Sequence, residues 1–213
     1  MKKKLCIFDM DGLLIDSEKG MWFVNEEKAL AILGYEYDNS FFRTLMGRAF
    51  NTCEKELKEK YGNDFPFIEF YDLVNRLNRE QIQNNEIKLM PGVVEFLEYL
   101  KDKEISCVVG TSTEKDMAKN MLKNLGILDY FTEVYSGTQV KNPKPAPDIF
   151  LLCLGDYAKE ESFIFEDSHN GARAGIASGI DTIIVEDVAL ITAEDRKEAF
   201  AVIKQLDEAI KFI

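Results

Sequence analysis

The sequence predicts an α/β fold: a mainly parallel sheet with helices on both faces and an inserted α-helical domain. A short buried strand is expected over 5–9, and an almost wholly helical stretch follows up to about residue 89. Beyond it, short apolar strands alternate with amphipathic helices, as is typical of parallel sheets covered on both faces. The helical stretch is too long for a simple crossover. We therefore predict a core over 1–15 and 90–213 and a helical cap domain over 16–89.

The inserted stretch divides into three helices by its apolar spacing. Asp16 and Ser17 are expected to cap the first helix, and Gly34 is expected to end it. The second is expected over 51–61. The third carries apolar residues at helical spacing: Phe70, Val74 and Leu77.

The core is expected to contain four further strands and a C-terminal helix. The strands are predicted over 105–110, 133–135, 162–166 and 182–185. Thr192-x-x-Asp195 resembles a capping box and predicts a final helix. Its inner face would carry Ala199, Ile203, Leu206 and Ile210.

Composition excludes several classes of function. The 26 basic and 38 acidic residues give a net charge of −12, whereas nucleic-acid binding usually needs a basic footprint. The four cysteines form no C-x-x-C pair, so zinc and redox roles are unsupported. No apolar run approaches the roughly 18 residues of a membrane span. We expect a cytoplasmic protein with no nucleic-acid or membrane partner, and a monomer, although a dimer remains open.

Two aspartates follow the first strand in the run Asp9-Met10-Asp11-Gly12. Residues two apart in an extended segment share a face, so both carboxylates reach one small volume at the strand end. Their mutual repulsion indicates a divalent metal, an acid/base pair, or both. Alone, the run is equally typical of an ordinary Asp-Gly turn.

Further polar residues follow other predicted strands. Thr111, Ser112 and Thr113 come after one strand, Lys144 lies in the loop after another, and Glu166-Asp167 follow a third. Ligands of open α/β sheets bind outside the carboxyl ends of the strands. The sequence therefore predicts that these residues share one site.

These residue types fit phosphoryl transfer. Asp9 would attack phosphorus to form an aspartyl-phosphate, and Asp11 would act as general acid and then general base. Mg²⁺ prefers oxygen ligands, which Asp9 and Asp167 would supply. Thr111 and Lys144 would hold the phosphoryl oxygens of a small phosphorylated metabolite.

Each of these residues also has a structural explanation. Thr111 could cap the following helix, and Asp167-Ser168 could form another N-cap. Lys144, between prolines, could be a solvated loop residue. His169 is expected to be exposed, without a catalytic role. Small residues over 171–179 lack the G-x-G opening of a dinucleotide site and are expected to let a helix approach the sheet.

The motifs resemble the haloacid dehalogenase-like hydrolase superfamily, in its β-phosphoglucomutase-like branch. The matching stretches are FDMDGLLIDSE (8–18), VVGTS (108–112), KPAPDIF (144–150) and FEDSHNGARAGIASG (165–179), with LMGR (45–48) in the cap. The resemblance implies a Rossmann-like core with the first and fourth strands side by side, and a cap that opens and closes.

The resemblance also implies the ligand set. Asp9, the Asp11 backbone carbonyl and Asp167 would bind Mg²⁺, and Glu166 would be a further ligand or support one. Ser112 is expected to bind phosphate, and the LMGR stretch places Gly47 and Arg48 among the substrate-binding residues.

Two positions favour a phosphatase over the alternative, a β-phosphoglucomutase or related phosphosugar mutase. Mutases of this branch carry a histidine where this chain has Met21, and an arginine that matches Phe50 in strict register. A dehalogenase would need neither Asp11 nor Asp167. A phospho-receiver domain would be shorter and would lack the cap, and a catalytically silent binding protein is unmotivated because every candidate position is filled.

Overall fold

The computed structural model describes residues 2–45, 53–84 and 86–213. The chain divides into two compact units: Met1–Asp16 with Leu89–Ile213, and Ser17–Lys88. These boundaries lie one residue from those expected from the sequence. Among the described residues, no helix is long and apolar enough to cross a membrane.

The second unit is helical. A π-helical turn, Glu18–Trp22, leads into α1 (Phe23–Leu33), and the left-handed backbone of Gly34 ends that helix, as predicted. Three further helices follow: α2 (Asn39–Leu45), α3 (Glu54–Tyr61) and α4 (Phe67–Gln83). The sequence pattern missed α2 as a separate helix. Together these helices surround an apolar cluster that includes Leu30, Phe42 and Phe70.

The first unit is built on a parallel sheet of six strands. The strands are β1 (Leu5–Phe8), β2 (Ser106–Thr111), β3 (Glu133–Ser136), β4 (Ser162–Glu166), β5 (Asp181–Val185) and β6 (Ala201–Ile203). Their order is β3-β2-β1-β4-β5-β6, and every pair is parallel. As the resemblance implied, β1 and β4 lie side by side in the middle. The helices of this unit are α5 (Val93–Asp102), α6 (Lys115–Asn124), α7 (Asp148–Leu154), α8 (His169–Ser178) and α9 (Ala193–Glu198).

Helices cover both faces of the sheet because successive strand side chains point in opposite directions. On one face, Ile7 packs in an apolar cluster with Phe150 of α7 and Ala174 of α8. On the other, Phe8 stacks on Phe165 of β4 with ring centroids 4.9 Å apart and meets the edge of Phe96 of α5 at 6.1 Å. The predicted α/β class with helices on both faces is therefore confirmed.

The prediction of a long C-terminal helix is correct only for its first turns. The capping box of Thr192 and Asp195 is present and begins α9, but Ala199 has an extended backbone and the helix stops at Glu198. The chain then adds β6 to the sheet edge, where the Phe200 N–H donates to the Thr182 carbonyl at 2.8 Å. A 3₁₀ helix, Leu206–Phe212, follows. Pairing with β5 supplies backbone hydrogen bonds that a spacing pattern does not reveal.

Gly175 of α8 allows that helix to lie close to β5. A Cβ at this position would stand 2.6 Å from Thr182 Oγ1 and 2.8 Å from its Cγ2. The predicted close approach of helix and sheet is therefore confirmed here.

We predict that Gly175→Ala lowers the free energy of unfolding by about 1–3 kcal/mol through overpacking. Adding Thr182→Ala should recover part of the loss, because it removes the two atoms that the new methyl group meets. Urea denaturation of the wild type, the two single variants and the double variant measures the coupling free energy between the two positions. Strictly additive effects would show that the contact is not the cause.

Candidate active site

Asp9 is positioned by the two central strands. Its N–H donates to the Phe165 carbonyl at 3.0 Å, which extends the β1–β4 ladder by one residue. Asp9 therefore leaves the sheet beside Glu166 and Asp167, at the carboxyl edge where the topology predicted a site.

The three carboxylates form one buried cluster. Oxygen atoms of Asp9, Glu166 and Asp167 lie within 4.8 Å of one another. Their residues are only 6%, 1% and 3% exposed, respectively. Like charges so close and so poorly solvated favour a bound cation or a retained proton. Carboxylate oxygens are also the ligands that Mg²⁺ prefers, so this donor set fits that ion.

Lys144 supplies positive charge to this cluster. Its ammonium bonds an oxygen of Asp9, and Nζ lies 2.7 Å from Glu166 Oε1. The side chain is 9% exposed, so the solvated-loop interpretation is wrong. The ion pairs explain why this loop lysine is buried: its charge is compensated on two sides.

Burial and neighbouring charges shift the pKa values of Asp9 and Lys144. Burial raises the pKa of Asp9 to about 7, with further contributions from the Glu166 and Asp11 charges, while Lys144 opposes the shift. Burial by itself would lower the pKa of Lys144, but the neighbouring Asp9 and Glu166 carboxylates outweigh it and hold that pKa above its usual value. The two carboxylates therefore favour the charged form of Lys144.

Glu166 is fixed by the backbone that follows it. Its Oε2 accepts the N–H groups of Asp167 and Ser168, each at 2.9 Å, and the Ser168 hydroxyl at 3.0 Å. A Cβ on Gly171 would overlap this carboxylate, so α8 needs glycine there. Ser168 also caps α8 through Gly171 N–H, which confirms the predicted N-cap. These hydrogen bonds fix the Glu166 carboxylate, which in turn orients Lys144.

Gly12 serves both the turn and the site. Its φ of +83° is the left-handed conformation that glycine tolerates best, so the turn expected from the Asp-Gly pair is present. A Cβ on Gly12 would also overlap the Asp167 carboxylate. The residue therefore lets the first loop lie against a carboxylate that follows β4.

Asp11 is bound by the loop after β2. Its Oδ2 accepts hydrogen bonds from Thr113 Oγ1 at 2.7 Å and from Thr111 Oγ1 at 3.2 Å. The idea that Thr111 caps the next helix is wrong, because the Glu114 carboxylate caps α6. Thr111 is instead fully buried at the end of β2.

The residues expected to bind phosphate meet at one cavity. Thr111, Ser112 and Lys144 line a space of about 240 Å³ together with Gly137 and Thr138. One water molecule takes about 30 Å³, so the cavity has room for a phosphoryl group. Several of these lining residues carry hydroxyl or ammonium donors, which suit an anion.

Not every predicted residue belongs to this cluster. Gly47 and Arg48 lie outside the described residues, as does Phe50. His169 is exposed, as expected, and its Nδ1 lies 2.6 Å from Asp195 Oδ2 at the start of α9. Asp11 contacts Thr111 and Thr113, and its side chain is not one of the three carboxylates in the cluster.

Sequence reasoning gave Thr113 no role and missed Ser136. Thr113 contacts Asp11 directly, and Ser136 donates to the Thr113 carbonyl at 2.7 Å. Thr113 was placed at the end of its strand, and its i, i+2 spacing from Thr111 repeats the spacing of Asp9 and Asp11. Ser136 had no such signal, since only the β2–β3 register places it opposite Thr111.

The chain is similar in sequence to a known family and to known phosphatases. The family described as "Haloacid dehalogenase-like hydrolase" matches residues 6–185. A phosphorylated carbohydrates phosphatase of Thermotoga maritima is 33% identical over 179 residues, which cover 83% of this chain and 82% of the relative. A probable pseudouridine-5'-phosphatase of Drosophila melanogaster is 31% identical over 193 residues, or 87% and 82% of the two chains.

The fold is shared with solved structures. The crystal structure of a putative β-phosphoglucomutase from Thermotoga maritima aligns with a TM-score of 0.80 and 30% identity. The alignment covers 98% of this chain and 97% of that one. With the strand order and the acidic cluster at its carboxyl edge, these findings show that the chain belongs to the haloacid dehalogenase-like hydrolase family.

Proposed function

We propose that this protein is a Mg²⁺-dependent phosphatase that hydrolyses small phosphorylated metabolites through an aspartyl-phosphate on Asp9. The observation that carries the proposal is the meeting of Asp9, Lys144, Glu166 and Asp167 at one buried edge of the sheet. The phosphatase relatives support this reaction, and their names point to phosphorylated sugars and nucleosides as the substrate class.

Asp9 is the nucleophile in this proposal. One of its oxygens attacks phosphorus, the bond from phosphorus to the leaving oxygen breaks, and a covalent acyl phosphate results. Water then attacks the same phosphorus and releases Asp9 and inorganic phosphate. The hydrogen bond from the Asp9 N–H to the Phe165 carbonyl fixes the backbone of Asp9. A fixed backbone favours a near-attack geometry.

Asp11 is the general acid and general base in this proposal. Its carboxyl group protonates the leaving alcohol in the first step, and the resulting carboxylate takes a proton from the attacking water in the second. Its hydrogen bonds to Thr111 and Thr113 hold it at the end of β2.

Lys144 and the end of β2 hold the phosphoryl group. An ammonium has three N–H donors, and Asp9 and Glu166 accept two of those of Lys144. We assign the third to a phosphoryl oxygen, because Lys144 lines the same cavity as Thr111 and Ser112. Such donors stabilise the charge that develops on the transferring group.

Mg²⁺ would be held by Asp9, Asp167 and the Asp11 backbone carbonyl, with Glu166 supporting them through Lys144. When bound, the ion would offset the repulsion between the Asp9 carboxylate and the anionic substrate. The buried, closely spaced carboxylates are the structural support for this assignment.

The remaining assignments are also proposals. The helical unit Ser17–Lys88 would act as the cap that admits substrate, and Gly47 and Arg48 would be among the substrate-binding residues. The free, buried state of Cys6, Cys53, Cys107 and Cys153 agrees with the expected reducing cytoplasm. We keep the monomer as the expected state, and a dimer remains the alternative.

We predict that Asp9→Asn lowers Mg²⁺-dependent hydrolysis of an aryl phosphate by at least about a thousandfold, because an amide cannot form the intermediate. Asp11→Asn should instead accumulate phosphorylated protein, since water is no longer activated. Mass spectrometry of acid-quenched protein distinguishes the two variants. Asp129→Asn, which neutralises an exposed carboxylate, is the matched control. Substantial turnover by the Asp9 variant would show that another group is the nucleophile.

We predict that Mg²⁺ at about 100 times its Kd raises the melting temperature of the wild type by roughly 5–10 °C, because ion binding stabilises the folded state by about 2.7 kcal/mol. The shift should vanish in Asp167→Asn and persist in Asp129→Asn. Thermal unfolding followed by circular dichroism gives the three values. An equal shift in all three proteins would place the ion elsewhere.

We predict net phosphate release, without isomer formation, from a hexose phosphate. A mutase must protect its aspartyl-phosphate until an intermediate is rephosphorylated, and Met21 stands where mutases of this branch carry a histidine. Product analysis by NMR, with and without a bisphosphorylated sugar activator, compares both reactions. Activator-dependent isomer formation that exceeds phosphate release would favour the mutase.

A further inference from the structure

Two hydroxyl groups bind the same oxygen of Asp11. Thr113 Oγ1 lies 2.7 Å from Oδ2, the shorter of the two contacts, and Thr111 Oγ1 lies 3.2 Å from it. In the part of the chain that the structure describes, no side-chain donor reaches Oδ1 of Asp11. Among the described residues, side-chain donors therefore hold only the Oδ2 atom of this carboxylate.

Thr113 is itself held on two sides. Its N–H donates to Thr111 Oγ1 at 3.0 Å, and its carbonyl accepts the Ser136 hydroxyl at 2.7 Å. Ser136 is fully buried and lies opposite Thr111 in the β2–β3 register. The loop that carries Thr113 is thus attached to the edge strand β3. This attachment fixes the position from which the Thr113 hydroxyl binds Asp11.

The two threonines are not equivalent because a hydroxyl has a single proton to donate. In the proposed reaction the Thr111 hydroxyl donates its hydrogen bond to a phosphoryl oxygen and no longer to Asp11. We assign the Thr113 hydroxyl no phosphoryl contact, so it keeps its shorter bond to Oδ2. Thr113 is then the donor that stays on the acid/base group during the reaction.

We propose that Thr113 is a positioning residue for Asp11, and this inference rests on the proposed function. Its hydrogen bond fixes Oδ2 and turns Oδ1 toward the reacting groups. The proton of the Asp11 carboxyl group passes from Oδ1 to the leaving oxygen as the bond from that oxygen to phosphorus breaks. In the second step a proton of the attacking water returns to Oδ1, and Thr113 keeps its own proton throughout.

The leaving group provides a test that separates positioning from general damage. An alkyl phosphate releases an alkoxide that needs a proton, whereas p-nitrophenolate leaves without one. Only kcat/KM for the alkyl phosphate should therefore depend on the placement of Asp11. Lost phosphate binding or partial unfolding would lower kcat/KM for both substrates alike.

We predict that Thr113→Val lowers kcat/KM for glycerol phosphate by about 10–100-fold, within the range that general acid catalysis contributes. The value for p-nitrophenyl phosphate should fall by less than about threefold because its departure needs no acid. Thr113→Ser, which keeps the hydroxyl, should restore most of the alkyl phosphate activity. Thr132→Val is the matched control, since the Thr132 hydroxyl binds the Cys107 carbonyl and not Asp11.

The outcomes are distinct. An equal loss on both substrates in Thr113→Val, or a serine variant as impaired as the valine variant, would overturn the inference while the proposed phosphatase function stands. A wild-type protein that hydrolyses neither substrate would overturn the proposed function and this inference together.

Discussion

The burial of three carboxylates at one edge of the sheet is the constraint on which the rest of the site depends. Asp9, Glu166 and Asp167 lie close together with little solvent, so each negative charge needs a compensating partner. Lys144 meets two of them, which explains why a loop lysine is buried. The same repulsion makes the cluster a fitting place for a divalent cation, so charge compensation and the proposed chemistry have one physical origin.

The surrounding backbone is shaped by the space that these carboxylates occupy. Gly12 and Gly171 come from different parts of the chain, yet a Cβ on either would overlap a carboxylate of the cluster. Glycine is therefore required for close approach at both positions, and Gly12 also needs its left-handed conformation. The sequence suggested a turn at Gly12 and close helix packing at Gly171. In the structure, both glycines also make room for a carboxylate of the site.

Much of the site was predictable because parallel strands bring their carboxyl ends to one edge. This rule located Asp9, Thr111, Lys144 and Glu166 without any contact being known. It failed for Ser136, whose role depends on the register of two strands. It also failed at the C-terminus, where Ile203 fitted a helical pattern but lies in the short edge strand β6. A strand of three residues carries too few side chains for its period to be distinguished from that of a helix.

Each proposed reactive carboxylate is held by a partner that is itself attached to a strand end. Asp9 is bound by Lys144, Lys144 by Glu166, and Glu166 by the N–H groups that follow β4. On the other side, Asp11 is bound by Thr113, and Thr113 by Ser136 at the end of β3. Catalytic groups need placement within a fraction of an ångström, and loops alone rarely supply it. Here both carboxylates leave β1 by a loop, and the neighbouring strands supply the rigidity that this loop lacks. The positions of the proposed nucleophile and acid/base group thus depend on several strands of the sheet.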